Sequence, residues 1–106
     1  MILSTTDHIP GRDVHSIVGI VAGEAVMGAN VFVDLFAKIR DVVGGRSGSY
    51  QQILKEARDN ALEDLKEEAR SVGADAVIGI DLDYEVMGDT GSILMVSANG
   101  TAVKLR

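Results

Sequence analysis

One long strand sets the strongest limit on how this chain can fold. Apart from His15 and Glu24, residues 14–27 carry apolar or small side chains in both alternating sets, and Glu24 is the single Asp, Glu, Lys or Arg between positions 14 and 33. A strand that is apolar in both sets is normally covered on both faces. A chain of 106 residues has little material for covering both faces, so we predict that another subunit supplies part of the cover.

The same stretch is not predicted to cross a membrane. Glu24 lies in its middle, where insertion of an acid costs about 2.5–3.5 kcal/mol. Gly28, Ala29 and Asn30 divide the stretch into a strand and a following helix. The N-terminus lacks a basic region followed by a long apolar run, so we expect no secretory signal and a cytoplasmic protein.

Composition narrows the classes of function. Ten Lys and Arg against sixteen Asp and Glu give a net charge of −6, which repels nucleic-acid phosphates and anionic lipid headgroups. The chain has no cysteine, which excludes disulfides, thiolate metal sites and a thiolate nucleophile. We therefore predict neither a nucleic-acid nor a membrane partner.

The remaining pattern predicts one α+β domain over residues 1–106, with an antiparallel sheet and two helices packed on one face. The first half of the chain is predicted to form a strand at 2–6, a type II turn at Ile9-Pro10-Gly11, the strand at 14–27, and a helix at 31–43 that Asn30 caps and Gly44-Gly45 ends. A second helix at 50–72 is predicted to begin with a Ser49/Gln52 capping box and to end at Gly73. A strand at 76–86 is then connected through a hairpin loop at Asp89-Thr90-Gly91 to a last strand.

Alternation in the last two strands predicts their register. The register is counted back from the hairpin loop, with Gly88 opposite Ser92. It places three apolar pairs on the core face: Val86 with Leu94, Tyr84 with Val96, and Leu82 with Ala98. Two polar pairs lie on the outer face: Asp83 with Ser97, and Asp81 with Asn99. A bulge is predicted at Gly100, where the apolar set shifts. The second helix is predicted to bury Leu54, Ala57, Ala61, Leu65, Ala69 and Val72 and to expose its mixed charges to solvent.

A glycine-rich linker before the second helix is the first candidate site. Flexible amides, hydroxyls, guanidinium groups and a helix N-terminus favour an anion, and the predicted ligand-binding residues are Arg40, Gly45, Arg46, Ser47 and Gly48. The spacing is not that of a Walker loop, so nucleotide hydrolysis is not implied. The alternative is an ordinary turn in which Arg46 pairs with a carboxylate, including one across a subunit boundary.

Acidic and imidazole side chains give the other candidates. Asp81, Asp83 and Glu85 share one strand face and suit a hard divalent cation, although a solvated face paired with Lys and Arg is the simpler interpretation. His8 and His15 stand near Asp7 and Asp13, a set that zinc accepts, but at no familiar spacing. Glu24, an acid in an apolar strand, is predicted to need a raised pKa or a positive partner, for which Arg40 and Arg46 are candidates.

Four segments of the chain resemble one known family. GEAVMGANVF, IRDVVGGRSGSY, GADAVIGIDLDYE and GSILMVSANGTAV are similar to the bacterial YbjQ family, which consists of small cytosolic proteins of unknown function that carry a heavy-metal-binding label. The resemblance implies a dodecin-like β-α-β-β subunit assembled into a homopentameric ring. Without cysteine the chain suits hard cations rather than heavy metals, and with few aromatic residues flavin is disfavoured as a cofactor.

These observations favour a ring-forming, non-enzymatic binding or scaffold protein. Its ligand, a small anion near Arg46 or a divalent cation near Asp81, is expected at subunit boundaries. The alternative is an enzyme whose active site forms between subunits, with Glu24 as the acid or base and Arg46 as the anion clamp.

Overall fold

A computed structural model describes residues 1–28, 48–87 and 93–106 of the chain. In these ranges the elements are β1 (Ile2–Leu3), β2 (Val14–Met27), helix α1 (Gly48–Ser71), β3 (Ala76–Met87) and β4 (Ile93–Leu105). The predicted strand at 14–27 is confirmed at both ends. The predicted helix at 31–43, with Asn30 and Gly44-Gly45, and the loop at 89–91, with the Gly88–Ser92 pair, lie outside the described residues.

The four strands form one mixed sheet in the order β1-β3-β4-β2. Strands β2, β3 and β4 pair antiparallel as predicted, but β1 pairs parallel to β3, with Ile2 opposite Ala76. The expectation of a purely antiparallel sheet is therefore wrong. The parallel pairing forms because the N-terminal segment lies along the outer edge of β3, where Val77 O accepts the Ser4 N–H at 2.9 Å. Within the described residues, no helix is long and apolar enough to span a bilayer.

The predicted register of the last two strands is confirmed. Leu82 lies opposite Ala98, Tyr84 opposite Val96 and Val86 opposite Leu94, and the two predicted polar pairs also hold. The bulge lies opposite Gly100, but its extra residue is in β3 rather than β4. Gly79, with a φ of 62°, takes the left-handed conformation that this kind of bulge requires.

Both predicted glycine turns are confirmed. Gly11 has a φ of 81° and Arg12 N–H donates to Ile9 O at 3.2 Å, which closes the type II turn. Gly73 has a φ of 79° and ends α1, with the following N–H of Ala74 donating to Ala69 O at 3.0 Å. That pair of features is the Schellman arrangement, which satisfies carbonyls left free at a helix end.

Helix α1 covers one face of β2 and β4 and supplies four of the fourteen buried apolar residues of the described core. Four residues of the predicted stripe are fully buried: Ala57, Ala61, Leu65 and Ala69. Leu54 is only half-buried, and Val72 is exposed because the helix ends one residue before it. The helix begins at Gly48, two residues earlier than predicted.

The close approach of α1 to the sheet depends on Gly23. A Cβ atom at that position would lie 2.3 Å from Ala61 O and 2.3 Å from Leu65 N, both of which are helix backbone atoms. The small alanine side chains of the helix and the missing side chain of Gly23 therefore let the two backbones lie almost in contact. This packing fixes which face of β2 turns toward the helix.

Only one face of β2 is covered within the described chain, whereas cover on both faces was predicted from its sequence. Val21, Gly23 and Ala25 are buried toward α1. Large apolar residues elsewhere on the strand are exposed, with 73% of Ile17, 86% of Ile20 and 61% of Val26 accessible to solvent. The described subunit therefore leaves half of its most apolar strand open.

Candidate functional site

An apolar groove lies beside α1 on the side of β3. The helix packs mainly on β2 and β4 and touches β3 at few positions, so α1 leaves the core face of β3 without cover near its end within the described part of the chain. The resulting cavity has a volume of about 500 Å³ and is lined by Gln51, Leu54, Lys55, Arg58, Tyr84, Val86 and Leu94. We call this cavity the β3 groove.

Tyr84 and Val86 form the exposed apolar wall of the β3 groove. Their register with Val96 and Leu94 confirms that they belong to the core face, as predicted. They are nevertheless 48% and 59% exposed, because the helix does not extend over them. A face that the sequence marks as core is thus left uncovered in the described subunit.

The polar rim of the β3 groove comes from Lys55 and Arg58, on successive turns of α1. Arg58 Nε approaches Asp59 Oδ1 at 3.7 Å, and both side chains are well exposed, so this contact is weak. Among its described lining residues the groove contains no carboxylate, imidazole or thiol. Its described lining therefore offers apolar surface and positive charge.

The opposite side of α1 protects the outer edge of β2. Glu68 Oε2 accepts the Ala22 N–H at 3.0 Å, and Asp64 Oδ2 accepts the Glu24 N–H at 3.0 Å. The spacing of the two carboxylates along α1 matches the spacing of the two N–H groups along β2, since four helical residues rise about 6 Å and two strand residues about 6.6 Å. The two carboxylates occupy N–H groups that an added strand would need.

Removing these two carboxylates should weaken the subunit. We expect Asp64→Ala and Glu68→Ala each to lower the free energy of unfolding by about 0.5–1.5 kcal/mol, because each leaves an edge N–H without its protein acceptor. Urea unfolding followed by circular dichroism measures the change. Glu67→Ala, which removes the exposed acid next to Glu68, is the matched control; an equal loss in all three variants would refute the capping role.

The far face of the sheet, turned away from α1, is acidic and apolar. The antiparallel registers place Glu24, Ser97 and Asp83 in one row across three strands, with Asp81 and Glu85 in the rows on either side. The pKa of Asp83 is raised, chiefly by repulsion from Asp81 and a side-chain hydrogen bond with it. All four acids are exposed.

The predicted site residues are placed as follows. Asp81, Asp83 and Glu85 share one face, as the alternation predicted. In the described ranges, however, no group of three or more His, Cys, Asp or Glu is arranged to hold a metal ion. Arg40, Gly45, Arg46 and Ser47 lie outside the described residues, and Gly48 is the first residue of α1.

Glu24 differs from its prediction. Its side chain is exposed on the far face rather than buried, and its predicted partners Arg40 and Arg46 lie outside the described residues. His8 and His15 form no zinc-binding group with the acids that the structure describes. His8 Nδ1 instead contacts Asp7 Oδ1 at 2.8 Å, and this hydrogen bond lowers the pKa of Asp7.

Sequence reasoning missed the roles of four charges on α1. Lys55, Arg58, Asp64 and Glu68 were all interpreted as part of a solvated face. Their positions around the helix do divide the two cations from the two acids. This separation of charges can be interpreted only after the buried stripe has been used to orient the helix. The orientation places Lys55 and Arg58 toward β3, and Asp64 and Glu68 toward β2.

Comparison with known proteins identifies relatives of the whole chain. A crystal structure of a protein of unknown function from Pediococcus pentosaceus ATCC 25745, of the DUF74 family, aligns over 100% of this chain and 98% of that chain. Its TM-score is 0.71 at 20% sequence identity, which shows a shared fold. The family model YbjQ_1, described as "Putative heavy-metal-binding", matches residues 1–106. The chain belongs to the YbjQ family.

Proposed function

We propose that this protein is a non-enzymatic binding or scaffold protein whose subunits assemble into a ring. The observation that carries the proposal is the apolar surface that the described residues leave uncovered on both sides of the sheet, on β2 and in the β3 groove. Monomeric soluble proteins rarely leave such patches open unless a partner covers them. The family resemblance supplies five as the subunit number and the cytoplasm as the location.

The chemistry of the β3 groove supports binding over catalysis. Its described lining combines apolar side chains with Lys55 and Arg58, and it lacks a carboxylate that could transfer a proton. The alternative enzyme would use Glu24, whose exposed carboxylate lies on the other face of the sheet. Its second member, Arg46, lies outside the described residues, as does most of the anion site expected there.

Native mass spectrometry of the freshly purified protein tests this proposal. A closed assembly of equal subunits would support it, and integral added mass per subunit would indicate a bound small molecule. A bare ring would favour the scaffold role. A monomer at every concentration would contradict the proposal, because the open surface on β2 would then have no protein cover.

The described residues do not fit a heavy-metal site. Heavy, soft metals prefer sulfur ligands, above all thiolates, and the chain has no cysteine. The described acids and histidines also form no metal-holding group of three. A hard divalent cation attracted by the charge of the exposed carboxylates Asp81, Asp83 and Glu85, rather than held by all three as ligands, is the better candidate, because it would relieve the repulsion that raises the pKa of Asp83.

Replacing Asp83 tests this repulsion. Because folding raises the pKa of Asp83, ionising it costs more free energy in the folded chain than in the unfolded one. We expect Asp83→Asn to raise the melting temperature at neutral pH, with the gain disappearing below the ordinary carboxyl range, where both forms are uncharged. Thermal unfolding at several pH values measures it.

The same variant tests the cation. Mg²⁺ or Ca²⁺ at moderate ionic strength should raise the melting temperature of the unmodified protein more than that of Asp83→Asn. Asp59→Asn, on α1, controls for general charge screening. Equal shifts in melting temperature in all three proteins would argue against a cation at Asp81, Asp83 and Glu85.

A further inference from the structure

The two uncovered surfaces differ in charge. The β3 groove offers Tyr84 and Val86 with Lys55 and Arg58 at its rim. On β2, Ile20 and Val26 are exposed on the far face, and Glu24 lies between them. We call Ile20, Glu24 and Val26 the β2 patch. One surface is apolar and positive, whereas the other is apolar and negative.

The surroundings strengthen this contrast. Asp83 lies in the same far-face row as Glu24, and Asp64 and Glu68 hold the adjoining edge of β2. Among the described residues assigned by register to the far face of β2, β4 and β3, none is Lys or Arg. Lys55 and Arg58 at the rim of the β3 groove therefore have no cationic counterpart on the described far face.

Strand addition is blocked in the middle of β2. The outward N–H groups of Ala22 and Glu24 already donate to carboxylates of α1. A second chain could not extend the sheet there without displacing both acids. A partner on the β2 patch must therefore make its contact through side chains on the face rather than through a backbone ladder.

We propose that the β2 patch of one copy of this chain docks into the β3 groove of the next copy. Ile20 and Val26 then cover the apolar wall formed by Tyr84 and Val86, and Glu24 lies near Lys55 and Arg58. Because the two surfaces are different, the contact is head-to-tail, and repeating it with a rotation that closes gives the ring of the proposed function. This inference rests on the proposed function and names the surfaces that the assembly uses.

Charge exchange tests the inference. Glu24→Lys alone, and Lys55→Glu with Arg58→Glu, should each shift the protein toward monomer in native mass spectrometry and in sedimentation at low salt. All three substitutions in one chain restore opposite charges at every contact and should restore assembly. Glu67→Lys, an equal charge change outside both surfaces, should leave the unmodified assembly intact.

Ile20→Ser provides a second test without charge reversal. Its side chain is 86% exposed, so the subunit should keep its fold by circular dichroism while its assembly weakens. Assembly that withstands Ile20→Ser and both charge variants would overturn the inference and leave the proposed ring standing. Failure of the three-fold exchange to restore assembly would also overturn it. An unmodified protein that is monomeric would remove the proposed function as well.

Discussion

Gly23→Ala should destabilise the fold strongly. The new Cβ would lie 2.3 Å from two backbone atoms of α1, Ala61 O and Leu65 N, and backbone atoms cannot rotate away as a side chain can. The helix must move off the sheet, which loosens the whole core. We expect a loss at or above the upper end of the roughly 1–3 kcal/mol typical of overpacking.

Alanine substitutions at two other glycines provide comparisons for the stability loss of Gly23→Ala. At Gly28 a Cβ would meet none of the described atoms within 4 Å, so Gly28→Ala should leave the unfolding free energy nearly unchanged. At Gly100 the nearest atom is Val77 Cγ1 at 2.4 Å, a side-chain methyl group that can adjust, so Gly100→Ala should fall between the two. Urea unfolding of all three variants measures the order. Equal stability of Gly23→Ala and Gly28→Ala would contradict the close helix–sheet contact.

Leu65→Ala should be the most costly truncation in α1. Leu65 is fully buried and is the largest side chain at the centre of a core made mostly of alanine and valine. The small neighbours cannot fill the space that it leaves, so the loss includes a cavity as well as transfer free energy. We expect about 3–5 kcal/mol in the free energy of unfolding.

Leu62→Ala is the matched control on the same helix. Leu62 is only half-buried, at the side of α1 next to β3, so its truncation should cost clearly less. Thermal or urea unfolding measured by circular dichroism gives both values. If the two truncations cost the same, Leu65 would not be the centre of the core.

Local sequence rules predicted the local features of this fold. Alternation set the register of β3 and β4, and glycine placement set the turn at Gly11 and the end of α1 at Gly73. Each of these depends on neighbours along the chain or across one hairpin. The bulge was placed on the wrong strand because Gly79 and Gly100 are both suitable residues, and the choice depends on the backbone of both strands.

The candidate surfaces depend on long-range placement, which periodicity does not encode. The alternating sets of β2 cannot show which face the helix covers, and Gly23 decides this through a contact with Ala61 and Leu65. Likewise, the β3 groove exists because α1 lies over β2 and β4. Glu24 was misread for the same reason: an acid within an apolar strand was assumed to be buried, and it is exposed.

Sedimentation velocity of the unmodified protein over a broad dilution series tests the central claim most directly. The account predicts one closed species much larger than an 11.2 kDa chain, giving way to monomer only at high dilution, because the open faces of β2 and β3 need a second copy. A folded monomer throughout the series would contradict it.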